Sequence, residues 1–412
     1  GKKNVIYFDV GGTTTKCSLI ENGMPKITTD YKIEWDKFNP GHSIRVPVID
    51  LVEIGAGGGS IGWFDEGGSL KVGPQSAGAD PGPASYGRGG VQPTITDAKL
   101  IGGTINPSFF ASNQFDLDVL KAEEAISQLG EKMNLCVKDA AASIVRIAES
   151  NMINALKLVS IQRGYDPRDF VLVAAGGGGP MHAANVGKEL GVSEIIIPSL
   201  PGYFSAWGML STDLRLDLTN TKLSLLRNEL IKDCELIFDN LRNEATIYFE
   251  SLKYGTHDNI VFELSLDMRY LDQEHTVNVP IEENKLTVQE IIALFEKEHK
   301  KTFTFVLKDT EIEVVTFRLS ASIINNNLDI KEKSDTTSKN HTPEMTEPRY
   351  YREVTFGEYG SFNTPVYRRE DLKVGKMISG PVLIEEDSTV TEVLPSQEIT
   401  MDKLGLLRIS SV

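Results

Sequence analysis

Asp9, Gly11, Gly12 and the hydroxyls of Thr13, Thr14 and Thr15 stand in one short run, a grouping that suits phosphate chemistry. An apolar stretch beginning at Val5 leads into Asp9, and a second resumes at Cys17–Ile20. This pattern predicts a strand that delivers one carboxylate into a glycine turn, followed by a returning strand. Glycines let backbone N–H groups approach a phosphate closely, and hydroxyls add hydrogen bonds to its oxygens. A carboxylate repels bare phosphate but can hold a hydrated magnesium ion beside one. Taken alone, the segment fits either a nucleotide-phosphate hairpin or an ordinary glycine-rich hairpin. In the first reading Asp9 is the magnesium-side carboxylate and Gly11, Gly12, Thr13 and Thr14 are phosphate donors. Strand alternation leaves Thr15 either on the ligand or turned away from it.

Other stretches carry related chemistry. The apolar run 170–175 reads as a buried parallel strand and empties into Gly176, Gly177, Gly178 and Gly179, with a helix starting near Met181. A strand, a glycine turn and a helix N-terminus form an anion or nucleotide cradle; a tight structural turn is the alternative. His182, at the helix start, is either a ligand or a structural hydrogen-bonder. Residues 46–54 predict a largely buried strand running into Gly55–Ser60, where Gly57, Gly58, Gly59 and Ser60 line a second wall of a cleft or simply turn the chain. Residues 73–97 are dominated by turn formers, as functional loops often are. Asp80, Arg88 and Asp97 lie in or beside this stretch. Arg88 can fork onto a carboxylate or phosphate. Asp97 can orient water or metal, or cap the helix that follows it.

Alternating strands, glycine-rich loops and helices make the first half α/β. A helix is predicted from a cap at Asp139 to about Arg163, with an apolar stripe of Ile144, Ile147, Met152, Leu156 and Val159 and a stop at Gly164. Past Asp217 the pattern predicts helices at 226–254 and 287–300 and strands at 260–268, 275–280 and 311–323, an α+β region. Residues 325–348 are polar and aperiodic, so they read as a linker or exposed excursion. Residues 349–412 read as a small β-rich module.

The formal charge of −16 over 412 residues argues against nonspecific binding to nucleic acid or anionic membranes. Cys17, Cys136 and Cys234 form neither a paired framework nor a metal cluster, and no apolar run approaches a membrane span. His257, His275 and His299 lack metal-ligand spacing. A cytoplasmic protein is expected.

The chain resembles the hydantoinase A/oxoprolinase family along nearly its whole length. The resemblance rests on Phe8–Thr15, Glu53–Ile61, Val72–Pro83, Tyr86–Gly90, Pro93–Ala98 and Gly176–Ala183, all in family order, with weaker echoes at Arg269-Tyr270 and Gly380–Glu385. It implies an actin-like ATPase (ribonuclease H-like) fold that closes two related domains around Mg-ATP. Residues 1–216 then form the second ATPase domain, 217–324 an α+β domain, 325–348 a linker and 349–412 the β-rich C-terminal module. By the same resemblance Asp9–Thr15 is the phosphate hairpin, and Gly176–Gly179 supports the adenosine.

The implied activity is ATP-dependent opening of a cyclic amide such as hydantoin or 5-oxoproline, in an oligomer with a hydantoinase B-type subunit. A sister branch implies ATP-dependent ketone carboxylation. Two departures from the family pattern favour a third reading, a noncatalytic structural subunit. Family members carry a first ATPase domain before the Asp9 hairpin, so a fragment, a cleaved product or one member of a split pair is expected. They also carry Asp after the threonines, where this sequence has Lys16.

Overall fold

A computed structural model of the chain describes residues 2–28, 31–33, 39–44, 48–110, 116–252, 260–282, 287–324 and 347–411. The chain divides into two compact units, Gly1–Trp207 with Ile330–Val412, and Gly208–Asp329.

The first unit is built on a nine-stranded sheet. Its centre is three parallel strands, Val5–Val10, Val171–Ala175 and Glu194–Ile197. Antiparallel strands extend it on both sides. Thr15–Glu21 pairs with Val5–Val10 and with Leu51–Ile54, while Leu407–Ser411 pairs with Glu194–Ile197 and then with Gln397–Met401. The expected α/β class is the one observed. The sequence predicts residues 349–412 as a small β-rich module of their own, but three of their strands continue this central sheet. The remainder forms a four-stranded sheet within the same unit. Most of the expected linker, residues 325–346, lies outside the described residues.

The helices of this unit are α1 (Ile95–Ile101), α2 (Val119–Met133), α3 (Val137–Val159) and α4 (Gly179–Leu190). One core joins Ile6, Phe8 and Leu172 of the sheet to Met152 and Leu156 of α3 and Val186 of α4. A second joins Ile95, Ile126, Leu129 and Ile144 of α1, α2 and α3. The long α3 helix was expected from an Asp139 cap, yet Cys136 is the cap and Asp139 lies in the first turn. There its carboxylate accepts the Cys136 thiol at 3.0 Å. The predicted 46–54 strand is two shorter pieces, Val48–Ile49 and Leu51–Ile54, and Ile49 and Leu51 are exposed. Apolar content points to burial, but Val48–Ile49 pairs with Ile27–Thr28 in a small two-stranded sheet, and Leu51–Ile54 pairs with Thr15–Glu21 outside the parallel centre.

The chain passes into the second unit within α5 (Phe204–Ser211). That unit runs strand, helix, strand, strand, helix, strand: Leu214–Leu225, α6 (Asn228–Ser251), Ile260–Tyr270, Val277–Ile281, α7 (Val288–Phe303) and Ile312–Ile323. All four strands are antiparallel to their neighbours, and Ile312–Ile323 lies between the first and second. The core joins Phe238 and Phe249 of α6 and Phe295 of α7 to Leu266, Phe317 and Leu319 of the sheet.

Candidate functional site

Strand register brings two glycine turns together. Val5–Val10 and Val171–Ala175 are parallel, with Asp9 opposite Ala175, so both strands end at the same edge. Carboxyl ends of parallel strands are where α/β sheets receive ligands. The Gly178 amide donates to the Val10 carbonyl at 2.9 Å, joining the turns directly. At Gly176 φ is +81°, and a Cβ there would strike the Val10 carbonyl oxygen and lie 2.5 Å from Asp9 Oδ1. Glycine is required by both conformation and space.

Alternation decides where Asp9 points. Ile6, Phe8 and Val10 are fully buried in the sheet core, so Tyr7 and Asp9 share the opposite, half-buried face. Asp9 Oδ2 accepts the Ser205 hydroxyl at 2.7 Å and the Tyr7 hydroxyl at 3.2 Å. Burial pushes the Tyr7 phenol up to about 12, and the Asp9 charge adds to the rise, so Tyr7 remains a donor. Lys16 sits directly across from Asp9 in the hairpin, and its ammonium lies 3.7 Å from Glu53.

The hairpin itself offers open donors. The Gly11 amide closes the turn on the Thr14 carbonyl at 3.0 Å. The amides of Gly12, Thr13 and Thr14, and the hydroxyls of Thr13 and Thr14, have no acceptor among the described residues. Gly12 and Thr13 are exposed. Thr15 is turned away: it is fully buried and its hydroxyl donates to the Ala56 carbonyl.

The Gly55–Ser60 loop stands behind the hairpin. The Gly58 amide donates to the Gly11 carbonyl at 3.0 Å, and that of Gly59 to the Gly12 carbonyl at 2.6 Å. A Cβ at Gly57 would lie 2.6 Å from the Thr13 backbone nitrogen. Ser60 is fully buried and accepts the Gly57 amide at 2.8 Å. These amides and this hydroxyl are engaged by the protein, so the loop supports the hairpin from behind.

Asp97 is fully buried in a capping box at the start of α1. Its carboxylate accepts the Thr94 amide at 2.9 Å, the Thr94 hydroxyl at 2.8 Å and the Ser85 amide at 2.8 Å. That geometry makes it a structural cap rather than a ligand for water or metal. Arg88 and Asp80 lie on exposed turns. His182 is buried and engaged by Glu149 of α3, Nδ1 to Oε1 at 2.9 Å.

Beside Gly177 opens a cavity of about 280 Å³ lined by Ile105, Phe109, Met181, Tyr203, Ser388 and Thr389, among others. The Thr389 hydroxyl donates to the Gly177 carbonyl at 2.7 Å. Tyr7 was discoverable in the sequence, since it shares a strand face with Asp9 two residues on. Ser205, Phe109 and Thr389 carry no local signal; only the fold brings them here.

Among the described residues no group of three or more His, Cys, Asp or Glu forms a metal cage. Magnesium seldom needs one, because one or two carboxylates, water and phosphate oxygens complete its shell. One half-buried carboxylate beside open amides and hydroxyls fits that donor set.

Residues 1–218 match the family described as hydantoinase/oxoprolinase, and residues 226–412 match the hydantoinase/oxoprolinase C-terminal domain. The chain belongs to the hydantoinase/oxoprolinase family. It is 33% identical over 421 residues to caprolactamase subunit alpha of Pseudomonas jessenii, covering 98% of this chain and 57% of that one. It is 28% identical over 438 residues to the acetophenone carboxylase gamma subunit of Aromatoleum aromaticum, covering 100% of this chain and 57% of that one. The crystal structure of ATP-dependent caprolactamase from Pseudomonas jessenii superposes with a TM-score of 0.80 at 31% identity, over 100% of this chain and 59% of that one. The chain thus spans less than two thirds of the relatives it matches. No helix among the described residues is long and apolar enough to cross a membrane.

Proposed function

We propose that this chain supplies the nucleotide-binding half of a cytoplasmic, ATP-dependent enzyme that opens cyclic amides. The observation that carries the reading is the pairing of Asp9 with unused hairpin amides at the edge where the Gly176–Gly179 turn also ends. In this reading the Gly12, Thr13 and Thr14 amides and the Thr13 and Thr14 hydroxyls bind phosphate oxygens. Asp9 would hold magnesium, oriented by Ser205 and Tyr7. The turn at Gly177 and the aromatic-lined cavity beside it would take the nucleoside, and Lys16 would add positive charge at the hairpin.

Amides resist water because resonance stabilises the carbonyl and nitrogen leaves poorly. When bound, Mg-ATP would supply the phosphoryl group that activates the amide oxygen, so that water can attack the carbon. The residues named here contribute positioning and fixed donors. Arg88 keeps a proposed role at the substrate side because it lies on an exposed turn. The similarity to an ATP-dependent caprolactamase supports the lactam class. An actin-like first domain and a hydantoinase B-type subunit would complete the assembly. The similarity to an acetophenone carboxylase subunit favours a second reading, with bicarbonate as phosphoryl acceptor.

The test is ADP release by the natively purified assembly with Mg-ATP, against hydantoin, 5-oxoproline, caprolactam and a ketone with bicarbonate. Stimulation by a cyclic amide supports the proposal, and stimulation by the ketone selects the carboxylase reading. Asp9→Ala is expected to abolish the stimulated turnover; undiminished turnover in that variant rules the site out.

A further inference from the structure

A buried charge cluster lies behind the glycine turn, formed by Lys99 of α1, Glu149 of α3, His182 and Asn185 of α4, and Glu392. The side chains of Lys99, Glu149 and Glu392 are 5%, 8% and 9% exposed. The Lys99 ammonium donates to the Met181 carbonyl at 2.8 Å and to Glu392 Oε1 at 2.9 Å, and lies 3.7 Å from Glu149 Oε1. Thr104 donates its hydroxyl to the same Glu392 oxygen. Glu149 holds His182 through one oxygen at 2.9 Å and Asn185 through the other at 2.6 Å. Burial alone would raise the Glu149 carboxyl, but the His182 hydrogen bond and the Lys99 charge outweigh it and hold the group below its ordinary value.

Every bond that this cluster makes to α4 falls on its first two turns, at Met181, His182 and Asn185. The Met181 amide bonds the Gly178 carbonyl at 3.1 Å, and the Gly178 amide bonds the Val10 carbonyl next to Asp9. A continuous chain of hydrogen bonds therefore runs from Lys99 through Met181 and Gly178 to the strand end that carries Asp9. Stability alone does not explain a buried lysine here, because well-packed apolar residues commonly replace buried ion pairs without loss. An ammonium near a helix N-terminus also opposes the helix dipole, so its placement needs the two carboxylates to hold it. What the cluster supplies is geometry: contacts from α1 and α3 fix the rotation and axial position of the helix that begins at the glycine turn.

We infer that Lys99 is a positioning residue for nucleotide binding, setting the Gly176–Gly179 turn through the Met181 carbonyl. The inference rests on the nucleotide reading above. Its test is calorimetric titration of Mg-ADP into the native assembly, with melting temperature measured in parallel without nucleotide. Lys99→Met should weaken Mg-ADP binding about tenfold, and Lys99→Arg should recover most of the loss. A purely packing role predicts a lower melting temperature with wild-type affinity, and that result overturns the inference. Thr104→Val is the gentler probe where Lys99→Met does not fold, since it removes one donor from Glu392 and leaves every charge in place. It should weaken binding about threefold, and unchanged affinity overturns the inference equally. Wild-type protein that binds no Mg-ADP defeats the nucleotide reading itself. Tight wild-type binding with insensitive variants defeats only the role of Lys99.

Discussion

In the first unit the hairpin leaves the Gly12, Thr13 and Thr14 amides without a protein acceptor among the described residues, whereas in the sheet of the second unit a set of polar side chains closes on itself. There Arg318 donates to Asp267 at 2.7 Å, and Asn278 donates to Asp267 at 3.0 Å and to Ser265 at 2.9 Å. Arg215 forks onto Asp217 and reaches Ser320 at 2.8 Å. His299, fully buried among aromatic rings, bonds the Phe305 carbonyl through Nδ1 at 2.9 Å. Both units carry charge, hydroxyls and buried aromatic residues in plenty. What separates these two places is whether the polar groups named are paired with one another. Satisfied polar networks make a scaffold, and open donors beside a lone carboxylate make a place for a ligand.

The largest expected effect breaks the site and spares the scaffold. Asp9→Ala should lower substrate-stimulated ATP turnover by about a thousandfold or more, with the melting temperature little changed. The reverse experiment breaks the scaffold and spares the site. Phe295 is fully buried against Tyr270, so Phe295→Ala should cost about 3–5 kcal/mol in denaturant unfolding while Mg-ADP affinity stays at the wild-type value in the folded protein. Loss of nucleotide affinity in that variant would show that the two regions are not independent.

Gly57→Ala tests the support behind the hairpin. Its new methyl would press on the Thr13 backbone, so about 1–3 kcal/mol of stability and a measurable part of nucleotide affinity should be lost together. The smallest effect is on pH. Burial pushes the Cys17 thiol, ordinarily 9.0, and the Tyr7 phenol, ordinarily 10.0, each up to about 12 in the fold. In the unfolded chain they ionise at the ordinary values, so their contribution is complete below about pH 9 and declines as pH rises towards 12. Urea midpoints should therefore fall between pH 8 and pH 10.5; a flat profile would contradict burial of these groups at the hairpin.

Much of this was legible in the residues because local patterns carried it. The apolar stretch from Val5 set the strand that delivers Asp9 into the glycine turn, and the apolar run before Gly176 set its parallel neighbour. Helices α6 and α7 and the strands between them followed from the local residue pattern. Other elements were not legible. Helix α2 and the strand Glu194–Ile197 were not anticipated in the sequence. The strands after 349 read as a separate module because nothing local records that Leu407–Ser411 pairs with Glu194–Ile197. Asp97 shows the same limit within a site: an aspartate before an apolar run fits a metal ligand as well as a cap. Its four donors, two of them from Ala84 and Ser85, decide the matter.

By itself the sequence determined the local chemistry: a glycine turn after Asp9, a second after Ala175, the family, and an acidic balance unsuited to nucleic acid. These are properties of neighbouring residues, whose backbone freedom and side-chain spacing act over a few positions. Only the tertiary structure decided which groups remain available. Thr15, Asp97 and His182 fit ligand roles in the sequence, but Ala56, Ser85 and Glu149 engage them through the fold, and Ser60 is taken up within its own loop by the Gly57 amide, while Ser205 and Thr389 became part of the site through contacts separated by 196 and 212 positions. Hydrogen-bond satisfaction is a property of the folded surroundings, so no reading of neighbours can settle it.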